Sequence, residues 1–143
     1  MVVVVIIGVL AAVIVPQFGG VTDDARAAAT SGAASGVRAS ISGYRTRAIL
    51  TGQPPFPTLA QLTQQGLVVQ GEFPANPFNN LRNVQSVSSR QAAVRAVVNP
   101  TGAGWNYYVD NAASPPVAIF YANSSELTTT PDASGGFKTA NGL

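Results

Sequence analysis

The chain carries almost no side chain suited to catalysis. It has no histidine and no cysteine, which removes imidazole bases, thiolate nucleophiles, disulfides and the commonest transition-metal ligands together. What remains for covalent chemistry is a carboxylate pair or a Ser/Lys arrangement, and Lys138, the one lysine, sits in a glycine-rich tail. No catalytic residue and no cofactor is therefore expected, and the chain reads as something other than an enzyme. Asp110, Glu126 and Asp132 offer hard oxygen donors. Spread over 23 positions, they define no ligand spacing; no metal site is expected, and they are taken as solvated acids. Asn123-Ser124-Ser125 fits a glycosylation sequon, and Thr128 to Thr130 offer hydroxyls for O-linked sugar; both read more simply as part of a polar surface.

Charge names no partner either. Eight basic residues lie scattered among six acidic ones for a net charge of +2, so no block of one sign forms to steer nucleic acid. At 143 residues the chain fits one domain. Its charged share of 10% falls well below the roughly 25% of a soluble domain, and such a surface favours packing against copies of itself.

The strongest signal is the uncharged, apolar run from Met1 to Val15. A secretory signal peptide would open with basic residues and close on small ones, whereas here no basic residue precedes Arg26. A helix that crosses a ~30 Å bilayer core needs roughly 20 apolar residues, a few more than this run supplies. A buried core helix is the bland alternative, since a run of valines exposed to water is an aggregation hazard.

Past Pro16 the pattern becomes helical again. Thr22 followed by Asp23 and Asp24 reads as an N-cap with acids in the first turn, which predicts a helix from Thr22 to about Leu50. Pro16 cannot donate to the carbonyl of Ala12, and Gly19 and Gly20 add backbone entropy, so a kink or melted turn is expected there, with Gly8 as a further weak point. On a 100° step the predicted helix has two faces. Val37, Ile41, Tyr44 and Ala48 make a bulky stripe suited to a sheet. Ala25, Ala29, Gly32, Gly36 and Gly43 make a face from which almost nothing projects, where another helix could approach closely; poor helix propensity in a frayed segment is the bland alternative. Arg38 and Arg45, one above the other, are expected as a solvated charged edge.

Residues 51–83 are rich in Pro, Gly, Gln and Asn and read as a long connection. Within it Thr58 to Gln65 predicts a short helix capped by Thr58 and stopped by Gly66, with Leu59 and Leu62 inward. Phe73 to Asn80 predicts an ordered turn anchored by Phe73 and Phe78. Three strands follow, at Val84 to Ser88 or Ala93 to Val98, then Trp105 to Val109, then Val117 to Tyr121, separated by Asn99-Pro100-Thr101-Gly102 and Ser114-Pro115-Pro116. Short connections imply an antiparallel meander with one face on the helix. The stretch 123–143 is expected as a surface loop.

The opening MVVVVIIGVLAAVIVPQF, with its apolar run, Gly8, Leu10-Ala11-Ala12 and closing Pro16-Gln17-Phe18, resembles the N-terminus of mature type IV pilins and type II secretion pseudopilins. Beyond residue 18 the likeness is one of architecture. The resemblance implies an α+β pilin fold, a prepilin peptidase that trims the precursor, assembly machinery, and a glutamate that pairs with a neighbour's N-terminal amine. Setting Gly8 and Pro16 against the family pattern puts about six residues, that glutamate included, ahead of Met1, a deficit that bilayer thickness suggests independently. The helix interruption between Gly8 and Pro16 also fits the family. Two departures stand out: the cysteine pair of many pilins is absent, and the calcium site of the major pseudopilins has no counterpart beyond the loose set Asp110, Glu126 and Asp132.

These observations lead to an expected structural subunit of a bacterial type IV pilus-like filament. Residues 1–21 form the hydrophobic helix and 22–143 the head, divided into helix 22–50, loop 51–83, sheet 84–122 and C-terminal loop 123–143. Val2, Val3, Val4, Val5, Ile6, Ile7, Val9, Leu10, Val13, Ile14 and Val15 would hold the subunit in the inner membrane before assembly, then pack against their equivalents in the filament's dry centre. The expected partner is the chain's own kind, with no specific nucleic acid. The expected location is the cell-surface filament, or the periplasm for a pseudopilus. A secretion pseudopilin is the near alternative, and a monomeric, single-pass anchored binding module the alternative of a different class.

Overall fold

The computed structural model describes residues 2, 3, 5–8 and 17–143. Its dominant element is α1, Gln17–Leu50, 34 residues long and so about 50 Å from end to end at 1.5 Å per residue. Helix α1 is already under way at Thr22, which corrects the expected start: Thr22, Asp23 and Asp24 lie in the second turn. A capping sequence is a preference rather than a stop, and a glycine in a helix costs only about 1 kcal/mol. Gly19 and Gly20 thus sit inside a continuous helix, and Gly8 is helical too. The backbone is not melted at these three glycines, while Pro16 lies outside the described residues.

Helix α1 buries Ala27, Thr30, Ala34, Val37, Ile41 and Ala48, a stripe at helical spacing. Tyr44 is half-buried and packs on the same core. Everything described from residue 20 to residue 26 is exposed, so the helix runs on past the body it packs against.

The connection after α1 is ordered by its own side chains. Helix α2, Leu59–Thr63, begins in a capping box in which Thr58 accepts from the Gln61 amide and Gln61 accepts from the Thr58 amide. Leu62 at its centre is fully buried and Leu59 packs against the core. Gly66, at φ +82°, turns the chain after it.

The main sheet has strands β1 (Val84–Ser86), β2 (Trp105–Asp110) and β3 (Val117–Ala122) in that spatial order. β2 and β3 form the expected antiparallel pair, but β1 runs parallel to β2, Val84 opposite Trp105. The sheet is therefore mixed and not a meander. Parallel neighbours need a crossover, and residues 87–104 supply one that contains α3, Ser89–Ala93, opened by a second capping box between Ser88 and Gln91. That crossover also settles the two readings of the first strand. It lies at 84–86, while 94–95 is a turn with Arg95 at φ +49° and 96–99 is irregular, ending on Asn99 at φ +45°.

Residues 123–143 are not a plain loop. β4 (Leu127–Pro131) pairs antiparallel with β5 (Phe137–Thr139), and a 3-10 turn, Ala140–Gly142, follows. The carboxylate of Asp132 stitches the hairpin turn by accepting from the Ser134 amide and hydroxyl, both at 2.7 Å, and from the Gly136 amide at 2.9 Å. These bonds, the Ser134 hydroxyl foremost, hold its pKa below the ordinary carboxylate value.

Strand alternation gives the main sheet two packed faces. Trp105, Tyr107, Phe120 and Ala122 face α1 and share a core with its Val37 and Ile41; Tyr121, with Tyr108 and Ile119, packs on Val87 and Ala92. Trp105 stacks on Phe120 at 5.1 Å between centroids, and Phe73 meets Phe120 edge-on. The polar tips of these rings pin the loops: Trp105 Nε1 donates to Pro74 O, Tyr107 OH to Pro57 O, and Tyr121 OH to Ala96 O.

Three fully buried asparagines finish the head. Asn76 Nδ2 donates to Gly104 O at 2.7 Å. Asn123 Oδ1 accepts from the Val98 amide and from Asn106 Nδ2, while its Nδ2 donates to Val98 O and Ala103 O at 2.7 and 2.8 Å. Asn123→Ala would strand these groups away from water, at about 1–3 kcal/mol for an unsatisfied group. We expect a loss of about 2–3 kcal/mol in urea unfolding; a loss below about 0.5 kcal/mol, ordinary for a surface site, would contradict the network.

Candidate assembly surface

Among the described residues, two surfaces on the helical part of the chain lie uncovered. The first is the apolar N-terminal segment. Val2, Val3, Val5, Ile6 and Ile7 are helical and between 53% and 73% exposed. Val4, Val9, Leu10, Val13, Ile14, Val15 and Pro16, which belong to the same expected surface, lie outside the described residues. Among the described residues no helix is long and apolar enough to cross a membrane.

The second is the small face of α1. Ala25, Ala29, Gly32, Gly36 and Gly43 are all exposed, and a Cβ built on any of the three glycines would meet nothing within 4 Å. Crowding inside the subunit therefore does not require glycine at these positions. Each lowers helix stability by about 1 kcal/mol relative to alanine without improving any contact in the chain itself.

Of the two arginines expected as a solvated edge, Arg45 is exposed and Arg38 is half-buried. Arg38 Nε and Nη2 donate to Phe120 O at 3.1 and 2.9 Å, and Nη2 also to Leu143 O at 2.8 Å, so this side chain ties helix to sheet. Arg45 lies over the Phe56 ring, 5.1 Å from its centroid. The Arg38 tie was not visible in the sequence, because its partners lie 82 and 105 residues along the chain.

Of the remaining polar candidates, Asp110, Asp132, Asn123 and Thr128 are committed to the fold, while Glu126 is exposed. Asp110 Oδ1 accepts from the amides of Ala112 and Ala113, Asp132 is occupied by its turn, and Asp110, Glu126 and Asp132 are not gathered. Among the described residues no group of three or more His, Cys, Asp or Glu side chains forms a metal site. Asn123 cannot take a sugar in the folded chain, since it is fully buried with its amide nitrogen bonded. Thr128 is buried and donates to Lys138 O, leaving Thr129 exposed.

The fold class is α+β, with a long N-terminal helix and a small, antiparallel-rich sheet. In comparison with known proteins, the chain matches no family model, no curated protein and no solved structure.

Proposed function

We propose that this chain is the structural subunit of a bacterial type IV pilus-like filament, held in the inner membrane by its apolar N-terminus and polymerised through that same surface. The observation that carries the proposal is the exposure of Val2, Val3, Val5, Ile6 and Ile7 beside a head whose own core is closed without them. Fully burying such side chains is worth about 1.5–3 kcal/mol each, so five of them offer on the order of 10 kcal/mol. Association costs an estimated 4–15 kcal/mol in lost freedom. The two are comparable, so these five residues alone make a marginal joint, and the small face of α1, open to close helix approach, supports a second zone of contact.

The contact is heterologous, one copy's rod against another's, and such a contact repeated by a screw operation gives an open fibre. The partner is the chain itself; a prepilin peptidase and assembly machinery belong to the proposal through the family resemblance. A periplasmic pseudopilus would use the same geometry and is distinguished by fibre length.

The test is negative-stain electron microscopy of the full chain, purified in detergent and then freed of it, alongside material sheared from cells. Fibres of uniform diameter are expected. Monodisperse single subunits at every concentration after detergent removal would contradict the proposal.

A further inference from the structure

Two guanidiniums converge on one backbone carbonyl. Arg38 Nη2 reaches Leu143 O at 2.8 Å, and Arg95 Nη1 approaches the same oxygen at 3.4 Å and Asn141 O at 3.3 Å. Both side chains are half-buried, and Arg95 is placed by a left-handed backbone, φ +49°, whose own carbonyl accepts from Asn141 Nδ2 at 2.7 Å. Among the described residues the ion pairs are Asp23 with Arg26 and Glu72 with Arg82; no carboxylate side chain serves Arg38 or Arg95. Two cations thus share a partly desolvated corner with backbone oxygens and no carboxylate side chain, an arrangement that favours a negative charge.

We propose that Arg38 and Arg95 form an oxyanion clamp at position 143. The shared chemistry is a small group with two or more anionic oxygens, which accepts charge-assisted bonds from two guanidiniums at once. It has two sources: the α-carboxylate of a chain that terminates at Leu143, or free phosphate where the chain continues. A filled clamp cross-links α1, the 94–95 turn and β3 through one anion, because Arg38 also holds Phe120 O. Burial, and then the neighbouring Arg95, lower the Arg38 pKa, as two uncompensated cations would.

The test compares two forms of the full chain in detergent, one ending at Leu143 and one continued by two glycines, each as the parent, as Arg38→Gln and as Arg95→Gln. The readout is the difference in Tm between forms, which stays meaningful where a variant is itself less stable. The parent ending at Leu143 is expected to melt higher by about 4 °C or more, and the difference should shrink by at least half in either glutamine variant. Inorganic phosphate should raise the Tm of the continued parent, beyond any effect of chloride at equal ionic strength, and leave continued Arg95→Gln unmoved. A carboxylate effect without a phosphate effect assigns the clamp to the chain's own terminus; the reverse assigns it to a free oxyanion. Equal Tm values with no phosphate response would overturn the proposal, as would a difference of unchanged size in both glutamine variants.

Discussion

Gly104→Ala is expected to destabilise the head by about 3–5 kcal/mol, near the upper end for a single substitution. A Cβ at Gly104 would lie 2.0 Å from Leu81 O and 2.7 Å from Leu81 C. These are backbone atoms and cannot swing aside as a flexible side chain would. The same residue is the hub of three bonds: its amide donates to Asn83 O at 3.0 Å, and its carbonyl accepts from the Asn123 amide at 2.9 Å and from Asn76 Nδ2 at 2.7 Å. Any shift that relieves the clash strains the 76–83 loop, which is anchored by the fully buried Asn76, or the buried β2 entrance. A domain of this size is held by only about 5–15 kcal/mol, so the variant should lose near-UV signal from Trp105 at a much lower temperature. A Tm within about 2 °C of the parent would show that the loop has room that the geometry denies.

Ile6→Asp is expected to have the opposite profile, leaving the head untouched and abolishing fibres. Ile6 is 53% exposed in the single chain, and surface changes usually move stability by no more than about 0.5 kcal/mol. In a dry filament centre the same aspartate meets an apolar environment, where insertion costs about 2.5–3.5 kcal/mol at the middle of a bilayer-like medium. With each 1.4 kcal/mol worth a factor of ten, the concentration needed for assembly should rise by about 100-fold or more. The measurement pairs sedimentation of fibres with thermal melting of the same sample. Fibres at the parent concentration would remove this residue from the contact, and a fall in Tm matching the loss of fibres would mean that it serves the fold instead.

These two residues also mark what a sequence reveals and what it hides. The stripe Val37, Ile41 and Ala48 was legible because helix period and hydrophobicity are local. So was the Thr58 cap, since its partner Gln61 is three residues away. The second capping box, Ser88 with Gln91, has the same local signature but lies between the two strand readings, Val84 to Ser88 and Ala93 to Val98, which hide the crossover that makes β1 parallel. Gly104 and the asparagines 76, 106 and 123 were opaque for a different reason. The bonds that link them to one another span 17 to 28 residues, so nothing in their neighbourhood announces a buried network. Asn106, a poor strand former between Trp105 and Tyr107, was the available hint. The β4–β5 hairpin hid in a Thr- and Gly-rich tail because Asp132 supplies through its side chain what composition does not show. On the assembly surface, the glycines of α1 were visible as a pattern. That they meet nothing inside the chain required coordinates.

The chain's lack of cysteine allows the central claim to be measured at one atom. A single thiol introduced as Ile6→Cys, with Glu72→Cys as a surface reference, can be labelled by a water-soluble maleimide in detergent-dispersed subunits and again in assembled material. The account predicts that both positions label when the subunits are dispersed. In fibres it predicts that position 72 still labels, while position 6 slows by at least about 100-fold, as burial in a close-packed apolar centre requires. Equal labelling of position 6 in both states would place the apolar segment in water after assembly and contradict the account.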